Sequence, residues 1–154
     1  MMTKSLRTFV AVVLSFACAL TMLLSANALT PSRTQTLVSQ TTEQLSEDAY
    51  IVISIYDTST ARSSKTGYKT YDYVYAGKVA WSLSVYGTFE KSWFSYKCVA
   101  DSVTYSTAAN WSCITASSWH DDDSATASGT FDCSSGFTES AEVSLYCDSS
   151  GNFY

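Results

Sequence analysis

The chain has 154 residues, 46% of them apolar, and carries nine basic residues against 14 acidic ones for a formal charge of −5. That length holds one domain with a real core, and an acidic surface argues against nucleic acid and anionic headgroups as partners. Five cysteines are present without any C-x-x-C pair, so neither a zinc knuckle nor a thioredoxin-like redox motif is supported.

The first 28 residues read as a secretory signal peptide. Lys4 and Arg7 form a basic start, Phe9 to Leu24 is almost uninterrupted apolar sequence, and Ala26-Asn27-Ala28 is a small-x-small cleavage site. The apolar run falls short of the roughly 20 residues of a spanning helix, and polar chain follows it. Cys18 lacks a lipobox, since Ser15 stands where Leu is usual. Cleavage would remove two of the nine basic residues and no acidic one, leaving seven against 14 and a formal charge of −7. Residues 29–48, rich in Thr, Ser and Gln with Pro31 near the start, read as a flexible N-terminal arm with at most a short helix. Residues 49–154 form the folded domain.

From Tyr50 the pattern has period two. Ile51, Ile53 and Ile55 alternate with Val52, Ser54 and Tyr56, which predicts a strand. After a polar loop at 57–69, Tyr71, Tyr73 and Tyr75 alternate along a second strand that ends at Gly77. Val79, Trp81, Leu83, Val85 and Phe89 then share one face, with Ser82, Ser84, Tyr86 and Thr88 on the other. That is a strand buried on one side and wet on the other. Gly87, on the inward face, marks either a bulge or room for a ring. Further strands are expected at 94–105, 111–116, 125–133 and 141–147. Seven or eight short strands with polar turns and a single proline predict an all-β, antiparallel β-sandwich.

Export makes the four cysteines beyond the signal candidates for two disulfides. A hairpin of 111–116 with 125–133, turning around 120–124, would set Cys113 opposite Cys133 and leave Cys98 to pair with Cys147. The sandwich would then be stapled twice.

Candidate functional residues are few. His120 is the sole histidine and precedes Asp121-Asp122-Asp123, but the Asp-x-Asp-x-Asp-Gly spacing of a calcium loop is missing, so a solvated hairpin tip is expected and no metal site. No G-x-S-x-G elbow surrounds any serine, and a catalytic base would have to be that histidine. Asp101 and Asp132 are a conceivable glycosidase pair, with many equivalent choices among the acids. The aromatics are the better lead, because flat amphipathic rings serve both cores and sugar or protein surfaces. Tyr71, Tyr73 and Tyr75 share a strand face and Trp119 is expected near a hairpin tip, which makes these four the candidate ligand-binding residues. Asn110-Trp111-Ser112 fits a glycosylation sequon and reads as a chance match.

Gly77-Lys78-Val79-Ala80-Trp81 followed by Val85-Tyr86-Gly87-Thr88-Phe89 gives the pattern G-x-x-x-W-x-x-x-V-x-G-x-F. With Trp119, the segment Ala125 to Phe131 and the ending Cys147-Asp148-Ser149-Ser150-Gly151-Asn152, it resembles uncharacterised small secreted β-sandwich proteins of Gram-positive, especially clostridial, bacteria. The resemblance runs from about Tyr71 to the end and rests on core aromatics, turn glycines and one cysteine. It implies a fold and export but transfers no catalytic or binding residue. Cys113 and Cys133 are not expected in every such relative.

The combined reading is a secreted, non-catalytic surface-interaction module for an extracellular protein or glycan, without cofactor and without a membrane span after signal cleavage. A secreted antagonist of toxin or bacteriocin type is the competing class, and a hydrolase stands behind it.

Overall fold

Alternating apolar and polar residues build eight strands, β1 (Thr36–Gln44), β2 (Ala49–Asp57), β3 (Ser64–Tyr75), β4 (Lys78–Lys91), β5 (Tyr96–Thr107), β6 (Trp111–His120), β7 (Ser124–Cys133) and β8 (Phe137–Tyr146). They are seen in a computed structural model that describes residues 35–154; the signal peptide expected at 1–28 lies outside the described residues. Strands β1 to β5 form one antiparallel sheet in chain order, and β6 to β8 form a second. Each strand in a sheet therefore pairs with its neighbour in sequence, a double meander. All even-numbered strands run opposite to the odd ones, so turns alternate between two ends of the molecule. The connections after β1, β3, β5 and β7 gather at one end. Those after β2, β4 and β6 gather at the other, together with the C-terminal tail.

The sheets meet through the inward faces of β4 and β7. Trp81 stacks on Phe131 with ring centroids 4.3 Å apart and planes 7° from parallel. Phe89, Phe131, Leu83, Leu145 and Val85 are the largest fully buried side chains. From Trp81 to Phe89 the inward face of β4 is the one its alternation predicts; Val79, expected on it, is 49% exposed because the register shifts between Tyr73 and Val74, and Ala80 is buried in its place. Gly87 on that face is room for a ring rather than a bulge. A Cβ there would stand 2.6 Å from the Phe89 ring and 3.0 Å from Ala125 of the facing sheet. The same device recurs in β7, where the ring of Phe131 folds back over Gly129, leaving 3.0 Å for a Cβ. The two Gly-Thr-Phe segments, 87–89 and 129–131, thus let each sheet lay a flat ring against its own backbone. On the outer face of the larger sheet Tyr56, Tyr68 and Tyr86 stack at 4.6 and 4.9 Å, the spacing of neighbouring strands.

Three expectations change. Residues 36–44, expected within a flexible arm, form β1, which pairs along β2 from Thr36↔Asp57 to Gln44↔Tyr50. The strand is exposed along its whole length; it is held by backbone pairing to β2, so no apolar alternation betrays it. The 57–69 loop shortens to residues 58–63, because β4 is long enough to pair with Ser64 to Lys69. Finally, the disulfide staples are not formed: Cys98, Cys113, Cys133 and Cys147 are free thiols. For Cys113 and Cys133 the register gives the reason. Trp111 faces Cys133 and Cys113 faces Phe131, with an irregularity between Cys113 and Thr115. The two cysteines are therefore diagonal neighbours, roughly 7–8 Å apart by strand geometry, beyond the usual Cα separation of about 4.4–6.8 Å in a disulfide.

Candidate functional site

Meander parity brings three turns together. The β3–β4 turn is a tight two-residue hairpin, with Ala76 at φ 49° and Gly77 at φ 74°, the left-handed pair that matches strand twist. The β5–β6 connection is fixed by Ala108 donating to the Ala80 carbonyl at 2.8 Å and Trp111 donating to the Ala108 carbonyl at 2.9 Å. Ser134 of the β7–β8 turn donates to the Asn110 carbonyl at 2.9 Å, tying the second and third turns together.

Between these turns lies an open cleft of about 380 Å³, within the usual range for a small-ligand pocket. Its walls are Tyr73, Tyr75, Trp111 and Phe137. Trp111 meets Tyr73 edge-on at 5.9 Å and Phe137 edge-on at 6.1 Å, so the rings brace one another while Tyr75 and Phe137 remain 55% and 48% exposed. Asn110, Ser134 and Ser135 supply neutral hydrogen-bonding groups along the rim, beside Cys133. Ser135 Oγ donates to Cys133 Sγ at 3.3 Å and Asn110 Nδ2 does so at 3.8 Å. The backbone N–H of Ser135 and then its hydroxyl hold the Cys133 thiol below its ordinary pKa. No carboxylate or imidazole lines the cleft. Its chemistry is ring stacking and neutral hydrogen bonding.

Of the four residues the sequence singles out, two reach this place. Tyr75 presents its ring to the cleft, and Tyr73 forms its inner wall while itself only 6% exposed. Tyr71 lies deeper in the same row, half-buried and stacked parallel to Trp81 at 5.8 Å. Burial, and then the charges of Glu43 and Glu139, raise its phenol pKa. Trp119 is 42% exposed near the far end of β6, eight residues from Trp111 and so roughly 26 Å away along the strand. Asn110, Trp111, Ser134, Ser135 and Phe137 are the cleft residues that reading the sequence missed. Their signal was an aromatic beside each of three turns, which becomes informative only once the parity of the strands is known.

His120 closes β6 instead of sitting in the turn, which occupies residues 121–123. Its Nδ1 lies 2.5 Å from Asp101 Oδ1 of β5. Hydrogen bonds from His120 and then Ser118 hold the Asp101 carboxyl below its ordinary pKa. Asp132 takes a hydrogen bond from Thr138 at 2.8 Å and sits between the inward Phe131 and Cys133, so it points away from the core. Asp101 and Asp132 therefore do not face each other. Among the described residues no group of three or more His, Cys, Asp or Glu is arranged to hold a metal ion.

Neither a family model, nor a curated protein, nor a solved structure matches this chain.

Proposed function

We propose that this is a secreted, non-catalytic interaction module that docks an extracellular protein or glycan in the aromatic cleft. The observation that carries the reading is the cleft itself: four rings, three of them braced on one another, around an open space with only neutral polar groups at its rim. Ring faces and edges of this kind offer apolar area to the C–H faces of a sugar or to an apolar side chain, and the Asn and Ser groups set orientation. The N-terminal 28 residues supply the export signal on this reading.

Export also makes Cys98 and Cys147 the pair that oxidises, two thiols giving up two protons and two electrons to an incoming disulfide. Both side chains belong to the same buried cluster. Their backbone N–H groups donate to consecutive carbonyls, Cys98 to Asp122 at 2.8 Å and Cys147 to Asp123 at 3.2 Å. A peptide map of the exported protein should join Cys98 to Cys147; a Cys98–Cys113 link would contradict that pairing.

The functional test is retention of the purified secreted protein by neutral polysaccharides and by isolated cell wall in affinity electrophoresis and pull-down. Tyr75→Ala and Trp111→Ala should each weaken retention by about tenfold, as loss of a stacking ring does, with circular dichroism unchanged. Absence of wild-type retention on every surface, or retention by both variants as strong as that of wild type, would end the reading.

A further inference from the structure

The opposite end of the molecule carries a second candidate of different chemistry. There the loop at 58–63 lies against the β4–β5 turn, with Lys91 donating its backbone N–H to the Ser63 carbonyl at 3.0 Å and Tyr96 Oη donating to the Arg62 carbonyl at 3.1 Å. Between them is a cleft of about 600 Å³. Arg62, Lys65 and Lys91 line it, half of the six basic residues among the described residues of an acidic chain. Asp57 is the one carboxylate in its walls, and Lys65 pairs with it at 3.6 Å. Among the described residues, no carboxylate lies within ion-pair distance of Arg62 or Lys91. Ser59, Thr60 and Tyr96 add hydroxyl groups to the lining.

Next to this cleft the β4–β5 turn holds up two bare rings. Trp93 is 93% exposed and Phe94 is 91% exposed, while Ser92 donates to the Ser95 carbonyl at 2.7 Å to close the turn beneath them. Two large aromatics raised into water on one tip, beside unpaired cations, have no role in the core. Exposed aromatic residues and Arg are the types most often found at the centre of interfaces.

We infer that this end binds an acidic glycan, with Arg62 and Lys91 taking a carboxylate or sulfate and Trp93 and Phe94 stacking on an adjoining sugar ring. A guanidinium fork suits a planar carboxylate, the hydroxyl lining suits a polyol, and an open cleft suits a long chain passing through. A lipid surface fits less well. Asp121, Asp122, Asp123 and Asp148 crowd the same end, and a flat anionic plane would have to meet all of them, whereas a threaded chain meets the cleft alone. The inference does not depend on the aromatic cleft at the other end.

Affinity electrophoresis through polygalacturonate, dextran sulfate and neutral dextran tests it. Either polyanion should retard the wild-type protein, less so as salt rises, and neutral dextran should not do so through this end. The double variant Arg62→Gln with Lys91→Gln should weaken retardation by about tenfold, and so should Trp93→Ala with Phe94→Ala, both with unchanged thermal melting. Lys78→Gln, at the opposite end, should bind as wild type. Retardation by polygalacturonate alone assigns the charge to a carboxylate, and by dextran sulfate alone to a sulfate. No retardation by either polyanion would overturn the inference. So would unchanged binding in either double variant, an equal loss in the Lys78 variant, or binding only to polyglutamate or phosphatidylglycerol vesicles.

Discussion

The two ends of this molecule are built by the same meander and differ in almost everything else. At the end holding the β3–β4, β5–β6 and β7–β8 turns, aromatic rings flank a cleft with no charged group in its walls. At the other, the cleft is lined by three cations and a paired carboxylate, and the rings stand free on a tip instead of bracing each other. Strand parity decides which turns meet, and turn composition decides what they can bind. On the two proposals above, one end takes neutral ligands and the other acidic ones.

The most severe way to break the comparison is to remove what both ends share. Phe131→Ala deletes the ring stacked on Trp81 between the sheets and should cost about 3–5 kcal/mol in urea unfolding. Both binding activities should fall together; survival of either would show that its end does not rely on the common core. Next in size is an alkaline effect centred on the charged end. Burial raises the Cys147 thiol from 9.0 to about 11. A raised folded-state value contributes stability that is complete below pH 9 and is lost as pH climbs toward 11 in the reduced protein. The form with Cys98 bonded to Cys147 should lose less in urea melts across that range, keeping only the part that the raised phenols such as Tyr71 contribute.

Acid should act in the reverse sense at the same end. At Asp57, burial would raise the carboxyl, but hydrogen bonds from Ser59 and the charge of Lys65 outweigh it and lower the pKa. His120 and Ser118 lower that of Asp101. Their contributions are present above the ordinary carboxylate pKa of 3.8 and are lost as pH falls below it. Hydrogen exchange should therefore quicken first around 57–66 and 98–101, while the turns at 76–77 and 134–136 keep their protection. The smallest effect belongs to the aromatic end. Ala76 sits at φ 49° in the tight turn, and Ala76→Asn or Ala76→Gly should raise stability by up to about 1 kcal/mol with binding unchanged.

Much of the framework was legible because burial on one side leaves a period-two trace. Trp81, Leu83, Val85 and Phe89 announced β4, and Ala125, Ala127 and Phe131 announced β7. Strand β1 left no trace, since a strand exposed along its length has no buried face to encode. Phe94 read as the start of a strand because hydrophobicity ordinarily signals burial; its exposure follows from the turn that lifts it, which composition does not reveal. The pairing of Cys113 with Cys133 failed on an irregularity at Ile114 and a hairpin offset, a shift too small for alternation to register. Tyr73 and Tyr75 were visible as a tyrosine row, whereas Trp111 and Phe137 joined them only through topology.

The claim at the centre of this account is that the aromatic cleft is a ligand site in its own right. Titrating the ¹⁵N-labelled protein with the neutral oligosaccharide corresponding to a retaining polysaccharide reads it most directly. Amide shifts confined to residues 73–77, 108–111 and 133–137, with 58–65 and 91–96 unmoved, are the predicted result. Shifts centred on 58–65 and 91–96, or none at saturating ligand, would contradict it.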